Sequence, residues 1–462
     1  MRIAGIDVGG TFTDLLLLDQ GQGRVQLAKV PTTDNQADGV LDALSRIHAD
    51  LAALDMIVHG TTTTTNAVLE RRLARTGLIT TMGFRDVLEL GRRTRPQPYG
   101  MTGSFRPVIP RDLRLEVPER VDAAGRVVTA LDEDALRRGI ATLREAGCEA
   151  LVIHFLHAYA NPDHERRAGA IAATLWPNDH ITLGHALLSE SREFERGVTA
   201  AVNASVQPLL ERYLGRLTDA LASRGYPGTL LVMNGNGGMV SADRVAREAA
   251  KTVMSGPATG VMAAAYIGRR AGIGDLLTYD MGGTSTDVAL IRDARPAVSA
   301  EIEVEYAMPI HLPMVDVRTV GAGGGSIAHV DAAGLLRVGP ESAGATPGPI
   351  CYGHGGTQPT ISDANFLLGR LNAVAAQDTS PVRDAIAQKI GAPLGLSADA
   401  AAAAILRVAN TKMAGAVRMV SLSLGADPRD FALFAFGGAG PLHAVDLARE
   451  LGVPHVLVPA RP

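Results

Sequence analysis

Short apolar runs separated by turn-forming residues open the chain. Arg2 to Val8, Leu15 to Leu18 and Arg24 to Val30 are strand-sized, and Gly9-Gly10-Thr11-Phe12-Thr13-Asp14 and Gln20-Gly21-Gln22-Gly23 lie between them. This pattern predicts a β-meander rather than a strand leading directly into a helix. Ala37 to Leu51 then takes helical spacing, Met56 to His59 reads as a strand, and Thr61 to Glu70 opens a helix. Strand Ala150 to Phe155 precedes a helix start at Asn161-Pro162-Asp163-His164-Glu165. There Asn161 can cap, Pro162 suits the first turn, and the acids favour the positive end of the dipole. Helical stretches at Ser191 to Arg224 and Ala258 to Ala271 flank a strand at Thr229 to Met233. Alternation of this kind marks an α/β protein. Even the longest apolar runs, such as Phe431 to Phe436, fall short of the roughly 18 residues that a membrane helix needs, so a soluble protein without a membrane partner is expected.

Length and composition narrow the class. The 462 residues amount to two large lobes, and 46% hydrophobic against 20% charged residues gives enough apolar surface for a sizeable core, which excludes a mainly disordered chain. A net charge of −4 argues against a nucleic-acid footprint. Cys148 and Cys351 are too few for a disulfide framework or a four-thiolate zinc site, and a cytoplasmic setting fits them. The first residues, Met-Arg-Ile-Ala-Gly-Ile-Asp, do not read as a signal peptide.

An internal repeat organises the chain. Asp7-Val8-Gly9-Gly10-Thr11-Phe12-Thr13-Asp14 recurs as Asp280-Met281-Gly282-Gly283-Thr284-Ser285-Thr286-Asp287, both between apolar strands. Recurrence of Asp-x-Gly-Gly-Thr-x-Thr-Asp implies two related lobes presenting the same turn to a shared cleft. The expected lobes are residues 1–190 and 191–462.

The repeated turn is suited to phosphate chemistry. Glycines without side-chain bulk let successive N–H groups point at an anion, and Thr11 and Thr284 add hydroxyl donors. A carboxylate repels phosphate, so Asp7 and Asp280 are better placed to hold Mg²⁺, with Mn²⁺ as the alternative, bridging phosphate oxygens. Gly9, Gly10, Thr11, Gly282, Gly283 and Thr284 are the phosphate-binding candidates. Thr13, Asp14, Thr286 and Asp287 end the motifs, as further contacts or as turn stabilisers. No G-x-x-x-x-G-K-[S/T] loop is present. The run Gly321-Ala322-Gly323-Gly324-Gly325-Ser326 is out of register for a dinucleotide fingerprint; Gly323 and Gly324 remain candidates for close approach to a nucleotide.

The duplicated turns resemble the two phosphate loops of the actin/Hsp70/sugar-kinase superfold. A wider motif set is more specific: His59-Gly60-Thr61-Thr62 with Thr65-Asn66-Ala67, Thr80-Thr81-Met82-Gly83-Phe84-Arg85-Asp86, Met254-Ser255-Gly256-Pro257, Gly321 to Ser326, Gly339-Pro340-Glu341-Ser342, and Phe436-Gly437-Gly438-Ala439-Gly440-Pro441. With these the chain resembles the hydantoinase A/5-oxoprolinase family along nearly its whole length. The resemblance implies a two-lobed, ribonuclease H-like α/β fold with a central cleft. It implies ATP-dependent opening of a cyclic amide such as a hydantoin or 5-oxoproline, or service as the ATP-using subunit of an acetone- or acetophenone-type carboxylase. A hydantoinase B-type partner, and hence a larger oligomer, goes with it. Gly437, Gly438 and Gly440 match the superfold's adenosine-binding segment. Family members usually continue into a further C-terminal domain beyond the point matching Pro462. A small-molecule kinase and a non-catalytic nucleotide switch are the rival readings.

Substrate contacts are expected at His59, Thr61 and Thr62, where a strand ends and a helix opens. Arg92, which Arg93 and Arg95 follow closely, could hold a substrate carboxylate through a bidentate pair. His154, His157 and His164 invite a metal reading that the opposite faces of an extended strand oppose. Glu193 and Glu195, beside Arg192 and Arg196, read as a solvated helical face.

Overall fold

The meander at the N-terminus forms as its alternation requires: Ala4, Ile6, Val8, Leu15 and Leu17 point into the core while Asp7 and Asp14 point out of it. The computed structural model describes residues 1–9, 12–33, 35–92, 94, 99–100, 105–371 and 378–460. Gly10, Thr11, Arg93 and Arg95 lie outside the described residues. The chain divides into two compact units: Met1–Gly256 with Val298–Met314, and Pro257–Ala297 with Val315–Pro462.

In chain order the first unit runs β1 (Arg2–Val8), β2 (Phe12–Asp19), β3 (Arg24–Pro31), α1 (Gln36–Arg46), β4 (Met56–Thr61), α2 (Thr63–Leu69), β5 (Thr76–Thr81), β6 (Arg114–Val117), β7 (Ala150–His154), β8 (Ile181–Leu183), α3 (Glu193–Ser223), β9 (Thr229–Met233) and β10 (Met239–Ser241). One sheet has the order β10-β9-β4-β1-β2-β3, and a second, wholly parallel one has the order β8-β7-β5-β6. In the first sheet β1, β2 and β3 are antiparallel, while β4 runs parallel beside β1 and β9 parallel beside β4.

The second unit takes most of α4 (Ser255–Ala271), then β11 (Leu276–Met281), β12 (Thr286–Arg292), β13 (Val317–Val320), α5 (Ala398–Ser423), β14 (Ala432–Phe436), α6 (Gly440–Leu451) and β15 (His455–Leu457). Here β11 is antiparallel to β12 and β12 to β13, with β14 parallel beside β11 and β15 parallel beside β14. The order β13-β12-β11-β14-β15 therefore repeats β3-β2-β1-β4-β9 strand for strand. A repeat visible as one turn is a repeat of a whole ribonuclease H-like sheet.

By packing, α3 belongs with the first unit, where it lies against β7. One expectation changes. The first half of α3 has no solvated face: Phe194 to Pro208 are all buried, including Glu195 and Arg196. A helix hydrophobic all round is a core helix, and its charges are tolerated only because they are paired. Among the described residues no single helix is long and apolar enough to cross a membrane.

Candidate active site

Strand register builds the same acidic device twice. Asp7 pairs with Asp14 across β1 and β2, and Asp280 with Asp287 across β11 and β12. Paired residues share a face of the sheet, so each turn carries two carboxylates side by side. The turns close identically: Gly9 N donates to Phe12 O at 3.0 Å, and Gly282 N to Ser285 O at 3.0 Å. The third strand completes each row, with Lys29 Nζ 2.8 Å from Asp14 Oδ2 and Thr319 Oγ1 donating to Asp287 Oδ1 at 2.6 Å. Gly282, Gly283 and Thr284 are exposed, and Gly283 has open space where a Cβ would stand.

Each acid also needs a glycine on the opposite side. Gly60 lies in register beside Asp7, and a Cβ there would stand 2.9 Å from Asp7 Oδ1. Gly437 follows Phe436, the partner of Asp280, and a Cβ on it would coincide with Asp280 Oδ1. Gly437 has φ +78°, which favours glycine independently. Gly438 is exposed with no heavy atom near its missing Cβ, and Gly440 opens α6 against Tyr279 O.

Electrostatics distinguish the acids. Burial by surrounding protein raises the Asp7 carboxyl above the usual range; Asp14 adds to this and Lys29 opposes it. Asp287 is raised by burial too, with the Thr319 hydroxyl pulling the other way. Both carboxylates thus ionise at some cost, which an arriving cation offsets.

Several expected contacts have other work. Thr13 and Thr286 are fully buried, since they sit on the core face one position from the acids. Thr13 Oγ1 lies 3.3 Å from Thr32 Oγ1, and Thr286 Oγ1 donates to Ala322 O at 2.5 Å. Thr13 is therefore a packing residue rather than a nucleotide contact. Gly323 and Gly324 back the second turn: a Cβ on Gly323 would lie 2.6 Å from the Thr284 backbone. Gly324 N donates to Gly282 O at 2.9 Å and Gly325 N to Gly283 O at 2.7 Å. The missing side chain admits neighbouring backbone at Gly323 and the Ser362 hydroxyl, 2.7 Å from the Cβ position, at Gly324.

His59 and Thr61 are fully buried. His59 occupies the middle of the sheet between β1 and β9, with Nε2 2.7 Å from the Tyr213 hydroxyl, and burial holds its pKa down to about 4. Thr61 Oγ1 meets Thr63 Oγ1 at 2.7 Å. Thr62 Oγ1 donates to Val8 O at 3.1 Å, tying α2 to the end of β1. The threonine run stitches the strand end that carries Gly60.

Arg92 is committed to carboxylates of its own unit. Its Nε donates to Glu195 Oε1, and Nη1 and Nη2 to the two oxygens of Glu301, each at 2.7 Å. His311 closes the cluster, 2.6 Å from Glu301 and 2.8 Å from Glu190. The bidentate arginine geometry expected for a substrate exists, with Glu301 as its partner. The three histidines do not converge either. His154 is buried near Glu193, His157 Nδ1 lies 2.9 Å from Val121 O, and His164 Nδ1 lies 2.8 Å from Glu119. Among the described residues no group of three His, Cys, Asp or Glu side chains could hold a metal.

Gly60 is the site feature that motif reading left without a role, and Asp14 and Asp287, read there as further contacts or turn stabilisers, stand beside the leading acids. Their signal was the hairpin register, which sets the last acid of each motif beside the first.

Comparison with known proteins gives the family. Residues 196–462 match the hydantoinase/oxoprolinase family, and residues 3–175 match the hydantoinase/oxoprolinase N-terminal region. The chain belongs to the hydantoinase/oxoprolinase family. It is 38% identical to caprolactamase subunit alpha of Pseudomonas jessenii over 98% of this chain and 68% of that one. It is 31% identical to the 5-oxoprolinase of Saccharomyces cerevisiae over 99% of this chain and 40% of that one. The solved ATP-dependent caprolactamase of P. jessenii superposes with a TM-score of 0.85 at 37% identity, covering 99% of this chain and 68% of that one. Nucleotide-free acetone carboxylase does so at 0.82 and 31%, covering 100% and 69%.

Proposed function

We propose that the chain is the ATP-using part of an enzyme that opens a cyclic amide. The observation that carries this reading is the duplicated acidic turn, each copy holding a glycine clear of its leading aspartate. A caprolactamase subunit and a 5-oxoprolinase among its relatives supply the substrate class.

A lactam carbonyl is a poor electrophile. Phosphorylation of its oxygen makes the ring carbon electrophilic; water adds to that carbon, the C–N bond breaks with the amine taking a proton, and a second water splits the resulting acyl phosphate into carboxylate and phosphate. Such chemistry asks the protein for positioning and charge neutralisation. The N–H groups of Gly283 and Thr284 would bind phosphate oxygens, those of Gly282 and Gly9 being used to close their own turns; Gly10 and Thr11 are the matching positions of the first motif. Gly437, Gly438 and the start of α6 would receive the nucleoside. Asp7 with Asp14, and Asp280 with Asp287, would hold Mg²⁺. Paired carboxylates suit an ion that keeps several waters and takes the rest of its ligands from phosphates, and the clearance at Gly60 and Gly437 leaves each acid its position. Mg²⁺ supplies neutralisation of developing phosphate charge.

The chain spans 68% of the caprolactamase subunit and 40% of the yeast 5-oxoprolinase. Relatives that are subunits of larger enzymes, such as caprolactamase subunit alpha and acetone carboxylase beta subunit, support a larger assembly, and a hydantoinase B-type subunit is the partner we expect. Both cysteines are free and buried, which supports a reducing, cytoplasmic setting. Similarity to acetone carboxylase supports a second reading, in which the phosphorylated group is a ketone enolate that attacks CO₂.

The test is ATP turnover with hydantoin, 5-oxoproline, caprolactam, and acetone with bicarbonate, with and without the partner. Phosphate release coupled to ring opening supports the hydrolase reading; carboxylate formation supports the second. A stable phosphorylated product would establish a kinase instead.

A further inference from the structure

The loop Asn234-Gly235-Asn236-Gly237-Gly238 leaves the carboxyl end of β9 and has no part in the acidic turns. It is held rigidly. Gly235 N donates to Lys251 O at 2.7 Å, and a Cβ there would lie 2.5 Å from Val253 O. Asn234 N donates to Gly238 O, and Asn236 Oδ1 accepts from Gly238 N, both at 2.8 Å.

This loop walls a cavity of about 550 Å³ inside the first unit, a size that suits a small ligand. Met239, Val240, Leu312 and Pro313 form its apolar side; Arg244, Lys251 and Glu248 supply its charges. Lys251 Nζ is 2.8 Å from Glu248 Oε2, so one cation is balanced within the wall. Arg244 is exposed and makes no side-chain hydrogen bond or ion pair among the described residues. Asp243, outside the wall, is an electrostatic neighbour of Arg244, and the lining itself holds two cations and one carboxylate. Asn234 is 5% exposed, and its Oδ1 accepts no hydrogen bond among the described residues. A buried amide oxygen without a donor is costly, and a ligand N–H would satisfy it.

We propose that this cavity binds a small organic carboxylate with an apolar body and an amide or amine N–H. Arg244 takes the carboxylate, Met239, Val240 and Leu312 cover the apolar body, and Asn234 accepts from the N–H. Binding there is independent of nucleotide use, so it stands or falls separately from the phosphoryl-transfer reading.

The experiment is calorimetric titration of the nucleotide-free full chain with 5-oxoproline and with 2-pyrrolidinone, the same ring without the carboxylate. A charge-assisted contact predicts about tenfold tighter binding of 5-oxoproline. Arg244→Gln, an exposed substitution that breaks no side-chain hydrogen bond among the described residues, should remove most of that preference, and Glu248→Gln should preserve or strengthen it. Equal binding of the two rings, no binding of either, or a preference that survives Arg244→Gln would each overturn the proposal.

Discussion

Gly437 and Asp280 stand so close that any side chain on the glycine would occupy the place of the Asp280 carboxylate oxygen. Gly60 and Asp7 repeat the relationship at 2.9 Å. Gly60→Ala is the cleaner probe, because Gly60 does not have the positive φ of Gly437. It should lower metal-dependent ATP turnover at least about tenfold, through displacement of one carboxylate, while thermal unfolding moves little. Gly437→Ala should lose both turnover and stability, the latter by about 1–2 kcal/mol from the left-handed backbone. Steady-state kinetics beside melting curves separate the two effects.

Asp7 presents a trade-off with a definite sign. Its folded carboxyl is raised by burial and by Asp14, so holding it ionised costs folding free energy at neutral pH. That cost disappears as pH falls through the raised value. Asp7→Asn should therefore melt at the same or a higher temperature than the parent at pH 7 without nucleotide or metal, and lose most turnover. A lower melting temperature would mean that the carboxylate is a structural partner.

His59, His154 and His443 are all buried, and burial is the largest cause holding each pKa down to about 4. Unfolded histidine titrates near 6.5, so the unfolded chain binds more protons below that pH. The stability these neutral rings allow is complete above pH 6.5 and lost as pH falls toward 4, by roughly 2–3 kcal/mol each. Urea unfolding between pH 7 and 4.5 should show this slope, and His443→Gln should make it shallower.

Arg92 anchors rather than recruits. Removing it leaves Glu195, with 7% of its side chain exposed, with Arg192 at 3.7 Å as its ion-pair partner among the described residues. Arg92→Ala should cost about 2 kcal/mol, and Glu195→Gln in that background should recover part of it. Glu301, held down to about 2 chiefly by Arg92, should keep its contribution above about pH 4.5 and lose it only as pH falls toward 2. A substrate contact at Arg92 would instead raise KM with the melting temperature unchanged.

Much of this was legible in the chain. The period-2 alternation of Ile6, Val8, Leu15 and Leu17 defined the meander, and the repeated eight residues predicted two related halves. What escaped was tertiary. Helix spacing around Glu195 and Arg196 resembles a solvated face, and only packing on both sides shows it to be buried. Glycines at 323 and 324 look alike whether they admit a ligand or a neighbouring backbone. Thr13 lies one residue from an acid, and a one-residue step in a strand reverses the face. His59 and Thr61 end a strand, as ligand contacts often do, but β1 and β9 enclose that strand on both edges.

The central claim is that each acidic turn serves nucleotide binding through its leading aspartate. Calorimetric titration of ATP with Mg²⁺ into the parent chain, Asp7→Asn and Asp280→Asn tests it most directly. The account predicts ATP binding in the parent chain that is weakened at least about tenfold by either substitution. Full affinity in either variant would contradict it.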